Sequence, residues 1–190
     1  MRRNWEMMAI LAAAIAIVVA LFALGVGCEP KRDRAEVRAR LGDRLLYLID
    51  GCSRIESYRV SGDEQFLEPG SLDELDRIRF IPTSPPGSGY EGGFAIKRKS
   101  NDLTPRQAGM LIGWINDPYS YDRKNPLCGD FQPSLCFRFV KGRTEAVLLI
   151  DIDCSTWVFV YDGGWISSGC SRLKRKFMDF GEEFFPDYFG

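Results

Sequence analysis

The strongest constraint on this 190-residue chain is an uninterrupted apolar run near its beginning. The run extends from Met7 to Gly27 without a charged residue, and two arginines precede it. About 20 apolar residues at 1.5 Å each span a hydrocarbon core of roughly 30 Å, whereas the apolar part of a cleavable signal holds about 7–15 residues. The sequence therefore predicts an N-terminal transmembrane anchor within residues 1–28, ahead of a single domain over residues 34–190.

The same segment also fits a lipoprotein signal that ends at Cys28. A small residue, Gly27, stands directly before the cysteine, as lipid attachment requires, whereas Gly25 occupies a place where such signals usually carry leucine. Either alternative, an uncleaved helix or a lipid on Cys28, attaches the domain to a membrane. The sequence therefore predicts a membrane-anchored protein, and both kinds of anchor stay open.

Two features give opposite indications of the side of the membrane on which the domain lies. Basic residues that closely follow the apolar run favour the cytoplasm under the positive-inside rule. They are Lys31, Arg32, Arg34, Arg38 and Arg40. The cysteines beyond the anchor form no C-x-x-C pair and the chain has no histidine, so disulfides are favoured over zinc ligation. Since acidic residues also dilute the basic cluster, we expect the domain to be extracytoplasmic.

Three segments show the 3.6-residue period of amphipathic helices. The first opens on Asp33-x-x-Glu36, which resembles a capping box, and continues to Gly51. The second follows Thr104, where a threonine cap, a proline at the first helical position and a glutamine at the third form the clearest local signal. The third repeats phenylalanine through residues 173–184 and closes the domain.

Alternating apolar residues predict strands over residues 55–60 and 93–99, and four consecutive strands after residue 134. Pairing Val140 with Glu145 places the apolar residues of the first two of these four strands on one face, as a defined register requires. The sequence therefore predicts an α+β domain, an antiparallel β-meander with helices packed on one face.

A set of short motifs is spread over the last part of the chain. They are Asn116-Asp117-Pro118-Tyr119-Ser120-Tyr121, Cys128 ahead of Phe131-x-Pro133, Phe137-x-Phe139-x-x-Gly142, Leu149-Ile150, Cys154 and Phe184-Phe185-Pro186-Asp187. With these motifs, residues from about 105 to 190 resemble uncharacterised exported and lipoprotein-like proteins of bacteria. The resemblance implies export and the same layout of elements, but no activity. We expect an exported domain of this kind to lie on the periplasmic side of a bacterial inner membrane. Cys136 and Cys170 are additions to that pattern.

The predicted register brings two cysteines close together. Cys154 lies just past the end of the second meander strand, and the partner chain reaches that level near Phe131, close to Cys128. A Cys128–Cys154 disulfide would close a loop of about 26 residues and stabilise the fold by roughly 3 kcal/mol. Buried free thiols are the main alternative, and a redox or metal role is a third. Cys136 faces the other side of the strand pair, so it is not expected to bridge to Cys154.

Asp151 and Asp153 are the carboxylates best placed for chemistry. Two residues apart on one predicted strand, they should point to the same face, where paired carboxylates can bind a hard cation or exchange protons. Neither a third ligand nor a glycine-rich calcium loop accompanies them in the sequence. A solvated strand face is the simpler interpretation.

Two further patterns have both a functional and a structural interpretation. The last helix carries cations at its start and carboxylates near its end, which is the opposite of what the helix dipole favours. This pattern indicates either a patch that binds a partner or anionic lipid headgroups, or simply a solvated helix face. The cations are Arg172, Lys174, Arg175 and Lys176. Several apolar residues either line a pocket or form core. They are Met110, Trp114, Trp157, Phe159 and Tyr161.

Composition excludes several classes of function. The absence of histidine excludes Ser-His-Asp and Cys-His catalysis and histidine-ligated zinc. A net charge of −1 argues against a dedicated nucleic-acid binder. We expect no cofactor and no metal. The sequence favours a non-enzymatic, membrane-anchored domain that binds a protein partner or serves envelope structure. The alternative is a histidine-independent envelope enzyme, for which Asp151, Asp153 or Cys136 would have to lie in a cleft beside a second ionisable group.

Overall fold

The computed structural model describes residues 31–60, 65–67, 80–82, 91–122 and 131–189. The apolar run, Cys28 and Cys128 lie outside these ranges, so the predicted anchor remains a prediction. Within the described ranges, no helix has the length and apolar character needed to cross a membrane.

The first helical segment consists of two helices, not one. Helix α1 covers Lys31–Leu41 and helix α2 covers Asp43–Asp50. The predicted single helix is therefore wrong at Gly42, whose φ of 78° ends α1 and starts α2. Asp33 lies inside α1, so the predicted capping box is also wrong. The apolar residues that set the helical period are nevertheless all buried: Val37, Leu41, Leu45 and Leu48.

Four strands and one helix make up the middle of the described chain. The strands are β1 (Arg54–Val60), β2 (Gln65–Leu67), β3 (Phe80–Pro82) and β4 (Glu91–Lys99). Helix α3 covers Pro105–Asn116, and a 3-10 turn over Pro118–Ser120 follows it. The capping box predicted for α3 is confirmed, because Thr104 Oγ1 accepts the N–H of Gln107 and Gln107 Oε1 accepts the N–H of Thr104.

The predicted meander is confirmed with its register. Its strands are β5 (Leu135–Lys141), β6 (Thr144–Asp151), β7 (Thr156–Tyr161) and β8 (Gly164–Gly169). Val140 pairs with Glu145 as expected. All strands of the described ranges join one antiparallel sheet in the order β2-β4-β1-β5-β6-β7-β8, with β3 paired to β4. A 3-10 turn over Ser171–Leu173 leads into α4 (Lys174–Phe184) and the short α5 (Pro186–Phe189).

The sheet has two unlike faces. Buried residues of α1 to α4 pack against one face, which we call the helical face, together with Phe137, Leu148, Trp157 and other strand residues. The second face carries a smaller apolar cluster to which no described helix contributes. Its members are Tyr58, Val60, Phe94, Cys136, Val147, Leu149 and Val158. The fold is thus α+β, with an antiparallel sheet and its described helices packed on the helical face.

Candidate functional sites

A groove of about 650 Å³ lies where β6 ends and α4 begins. Its lining includes both carboxylates that the sequence put forward, together with a cysteine, a lysine and apolar residues of the last two helices. The lining includes Gln132, Asp151, Asp153, Cys154, Lys174 and Met178. The structure therefore brings Asp151 and Asp153 to one concave surface, so the state of each carboxylate decides what the groove can do.

Asp151 is occupied by the backbone. It is 1% exposed, its Oδ2 accepts the N–H of Gln132 at 2.8 Å, and its Oδ1 accepts the N–H of Cys154 at 2.9 Å. These bonds tie the chain ahead of β5 and the turn after β6 to the end of β6. Asp151 is therefore a structural residue that satisfies two backbone donors.

Asp153 does not share a strand face with Asp151. Strand β6 ends at Asp151, and a turn follows in which Ser155 has a φ of 51°. The predicted face shared by the two aspartates is wrong for this reason. The Asp153 side chain is exposed, and its backbone carbonyl accepts a hydrogen bond from Lys174 Nζ at 3.2 Å.

Acid–base chemistry at Asp151 or Asp153 would need a second ionisable side chain hydrogen-bonded to the carboxylate. Among the described residues, no ionisable side chain donates a hydrogen bond to either one, and no group of three histidine, cysteine, aspartate or glutamate residues is arranged to hold a metal ion. The groove is lined by both polar and apolar side chains.

Three described cysteines are free thiols: Cys52, Cys136 and Cys170. Cys136 pairs with Leu149 on the second face, as predicted, and burial raises the pKa of its thiol far above the ordinary value. Burial also raises the pKa of Cys170 to about 12. Since the thiolate is the nucleophilic form, neither residue is set up for covalent catalysis.

Cys154 follows β6, as expected. It lies in the turn between β6 and β7, half-buried, with its N–H bonded to Asp151. Residues just ahead of β5 run beside this turn, because Ser134 donates its N–H to the carbonyl of Ile150 at 3.0 Å. The Cys128–Cys154 disulfide stays a prediction, since Cys128 lies outside the described residues.

Sequence reasoning missed a buried ionic network centred on Glu56. Tyr58 donates its hydroxyl to Glu56 Oε2 at 2.6 Å, and Arg138 reaches the same oxygen at 3.3 Å. Arg54 and Lys99 approach Glu56 Oε1 at 3.2 and 3.5 Å. The carboxylate thus connects β1, β4 and β5 across the second face. Arg138 also binds Glu145 of β6, which extends the network to a fourth strand.

The network favours the ionised form of Glu56. Burial raises the pKa of its carboxyl, but the hydrogen bond from Tyr58 and the three neighbouring cations outweigh that effect, so the pKa lies below its ordinary value. Burial and the bond to Glu56 raise the pKa of Tyr58. A carboxylate that accepts hydrogen bonds from three donors and also pairs with Arg54 is a structural centre and not a proton carrier. The signal for it was present in β1, where Arg54, Glu56 and Tyr58 alternate with Ile55 and Ser57.

The aromatic residues proposed as a pocket lining are mostly core. Trp157 is fully buried, and its ring centroid lies 4.8 Å from that of Tyr121. Trp114 meets Phe177 at 5.5 Å and Phe180 at 5.3 Å, edge to face in both cases. The interior that a pocket would occupy is therefore filled by side chains from α3 and α4.

The cations at the start of α4 and in the 3-10 turn before it form a basic surface. We use this name for Arg172, Lys174, Arg175 and Lys176, of which all but the half-buried Lys174 are exposed. The guanidinium of Arg172 lies 6.0 Å from the ring centroid of Tyr119, and Lys176 Nζ lies 5.7 Å from that of Trp114. Neither contact neutralises the charge, so the surface stays positive.

Comparisons with known proteins assign the chain to no group. No family model, no curated protein and no solved structure matches it. The resemblance to exported bacterial proteins therefore stays an expectation that depends on the sequence motifs alone.

Proposed function

We propose that this chain is a membrane-anchored extracytoplasmic domain with a binding or structural role in the cell envelope, and not an enzyme. The observation that carries the proposal is the short stretch of chain between the apolar run and the fold. The run ends at Gly27, and α1 is helical from Lys31 and buries Val37 and Leu41 in the core. An anchor formed by residues 7–27 would hold the domain at the membrane surface.

The state of the candidate catalytic groups supports a non-enzymatic role. General acid–base catalysis needs a group that can reach a substrate proton, whereas both oxygens of Asp151 accept backbone N–H groups. Nucleophilic catalysis by Cys136 would need a thiolate, whereas that thiol is fully enclosed with a raised pKa. Asp153 is exposed in the groove, but Lys174 bonds its backbone carbonyl and not its carboxylate. The alternative of a histidine-independent envelope enzyme therefore gains no paired catalytic group among the described residues.

Fusion reporters test the side of the membrane. We expect a reporter that is active only outside the cytoplasm to be active when fused after Gly190, and a reporter that is active only in the cytoplasm to be silent at the same place. Deleting residues 7–27 should reverse both results. The opposite pattern in the full chain would place the domain in the cytoplasm and overturn the proposal.

Fatty-acid labelling separates the two kinds of anchor. With a transmembrane helix, the chain resists extraction by alkaline carbonate and incorporates no labelled fatty acid. Label that enters the wild-type chain and is lost in Cys28→Ala would assign the anchor to a lipid on Cys28. Release of the wild-type chain by carbonate without any label would contradict membrane anchoring itself.

A further inference from the structure

We propose that the basic surface of α4 contacts the anionic headgroups of the membrane that holds the chain, an inference that rests on the anchoring proposed above. The surface consists of Arg172, Lys174, Arg175 and Lys176. The partner we infer is the lipid surface itself, with phosphate-bearing anionic lipids as its recognised component.

The basic surface carries positive charge that the fold does not neutralise. The arginines of α1 and α2 with described side chains each pair with a carboxylate at 2.6 to 3.1 Å: Arg34, Arg38, Arg40 and Arg44. Within the described part of the chain, no carboxylate lies within ion-pair distance of any cation in the basic surface. Lys174 instead donates to the carbonyl of Asp153. The charge is therefore available to an external anion.

These cations also stand where a helix disfavours them. The start of a helix carries partial positive charge, so cations there are unfavourable. One carboxylate, Asp122, offsets this locally, because it accepts the N–H of Ser171 at 3.0 Å and its hydroxyl at 2.8 Å. The helix dipole disfavours these cations, and no carboxylate of the described fold pairs with them. Such a surface indicates an interaction with a partner outside the domain.

The basic surface lies beside the part of the fold that follows the apolar run. Lys31 is four residues after Gly27, so α1 begins within about 15 Å of the end of that run. Arg34 in the first part of α1 pairs with Asp50 at 2.9 Å, and Asp50 accepts from Asn116, the last residue of α3, at 2.9 Å.

The basic surface contacts the same end of α3. Lys176 lies over Trp114, two residues before the end of α3, and Arg172 lies over Tyr119, three residues beyond it. Tyr119 is 65% exposed, and an exposed aromatic ring beside cations is typical of a membrane interface. The end of α1 nearest the anchor and the basic surface thus share one side of the domain.

Lysine methylation in vesicles tests the inference with the full chain. The protein is reconstituted into phosphatidylcholine vesicles with or without phosphatidylglycerol, and reductive methylation by neutral reagents is followed for each lysine by mass spectrometry. We expect phosphatidylglycerol to slow the methylation of Lys176 about five-fold relative to Lys97, which is exposed on β4. High salt should remove this protection.

Two matched variants separate location from net charge. Arg172→Gln with Arg175→Gln should abolish most of the protection of Lys176. Arg44→Gln with Arg143→Gln removes the same charge at other exposed positions and should leave the protection intact. The inference would be overturned if both variants lost the protection of Lys176 equally, or if Lys176 were methylated at the same rate in both lipid mixtures.

Carbonate extraction of the same vesicles separates this inference from the anchoring proposal. A chain that resists extraction but shows no lipid-dependent protection refutes the contact alone. A chain that is extracted refutes the anchor. Protection of Lys176 in native membranes but not in lipid vesicles would assign the surface to a protein and overturn the lipid contact.

Discussion

Phe137 and Arg138 are neighbours on β5, yet they belong to two unlike environments. Phe137 points to the helical face, where its ring centroid lies 5.7 Å from that of Phe180. Arg138 points to the second face, where it binds Glu56 and Glu145. Burying an aromatic ring gives a large stabilisation that depends little on the direction of the contact, whereas a charged group must meet a specific partner in a defined geometry. We expect the helical face to supply most of the stability and the second face to fix which strands pair.

Removing a ring from the helical face should have the largest effect on stability. Phe177 is fully buried between Trp114 and Trp157, so Phe177→Ala should lower the free energy of unfolding by about 3–5 kcal/mol. The control is Met178→Ala on the same helix, where the side chain is 42% exposed and a loss below about 1 kcal/mol is expected. Chemical denaturation followed by circular dichroism measures both, and similar losses would contradict the unequal roles of buried and exposed positions.

Breaking the ionic network on the second face should have a smaller effect. Glu56→Gln leaves three cations without their carboxylate, but these cations are partly exposed, so we expect a loss of about 1–3 kcal/mol. Glu145→Gln is the control, because Glu145 is exposed and, among the described residues, its carboxylate pairs with Arg138. It should cost about 1 kcal/mol or less by the same denaturation assay. A Glu56 variant that is more costly than Phe177→Ala would reverse the comparison.

The contribution of Glu56 should depend on pH. Its pKa in the fold lies below the ordinary value of 4.5, so its stabilising effect is fully present above that value and declines as the pH falls through the lower folded pKa. The difference in stability between the wild type and Glu56→Gln should therefore be constant above about pH 5.5 and shrink in more acidic solution. A difference that stays unchanged down to pH 2.5 would show that the carboxylate charge plays no part.

Removing one neutral donor from the network should have the smallest effect. Tyr58→Phe deletes the hydroxyl that bonds Glu56 at 2.6 Å and keeps the ring, so a loss of about 0.5–1.5 kcal/mol is expected. The pKa of Glu56 should also rise towards its ordinary value, because the hydroxyl is one of the groups that lower it. NMR titration of the Glu56 carboxyl measures that shift, and a downward shift would contradict this assignment of the network.

The parts of the fold that could be predicted from the sequence are local. The start of α3 is coded by Thr104 and Gln107, three residues apart, and the register of β5 with β6 follows from strict alternation across a two-residue turn. Gly42 could not be recognised as a break, because the apolar residues on both sides keep one helical period. A positive φ leaves the hydrophobic pattern unchanged.

The sequence identified residues of the candidate site but not their arrangement. Asp151 and Asp153 were found, but β6 ends at Asp151, and the turn that follows is held by backbone bonds from Ser155 to Ile152 and from Cys170 to Ser155. The Glu56 network was missed because two of its partners, Lys99 and Arg138, come from distant parts of the chain. Glu56 and Arg138 become neighbours only through the pairing of β1 with β5, and no local sequence pattern predicts that pairing.

The meander has a consequence for the order in which the protein folds. Each strand from β5 to β8 pairs with the next across turns of two to four residues, so these pairings need little loop closure and should nucleate early. Strand β1 must wait for its distant partner β5. Cys136 lies opposite Leu149 in the early-forming strand pair but also opposite Tyr58 of β1, so we expect its thiol to stay accessible until β1 has paired. The late pairing of β1 would in this way leave a free cysteine open to thiol reagents during folding and enclosed once the sheet is complete.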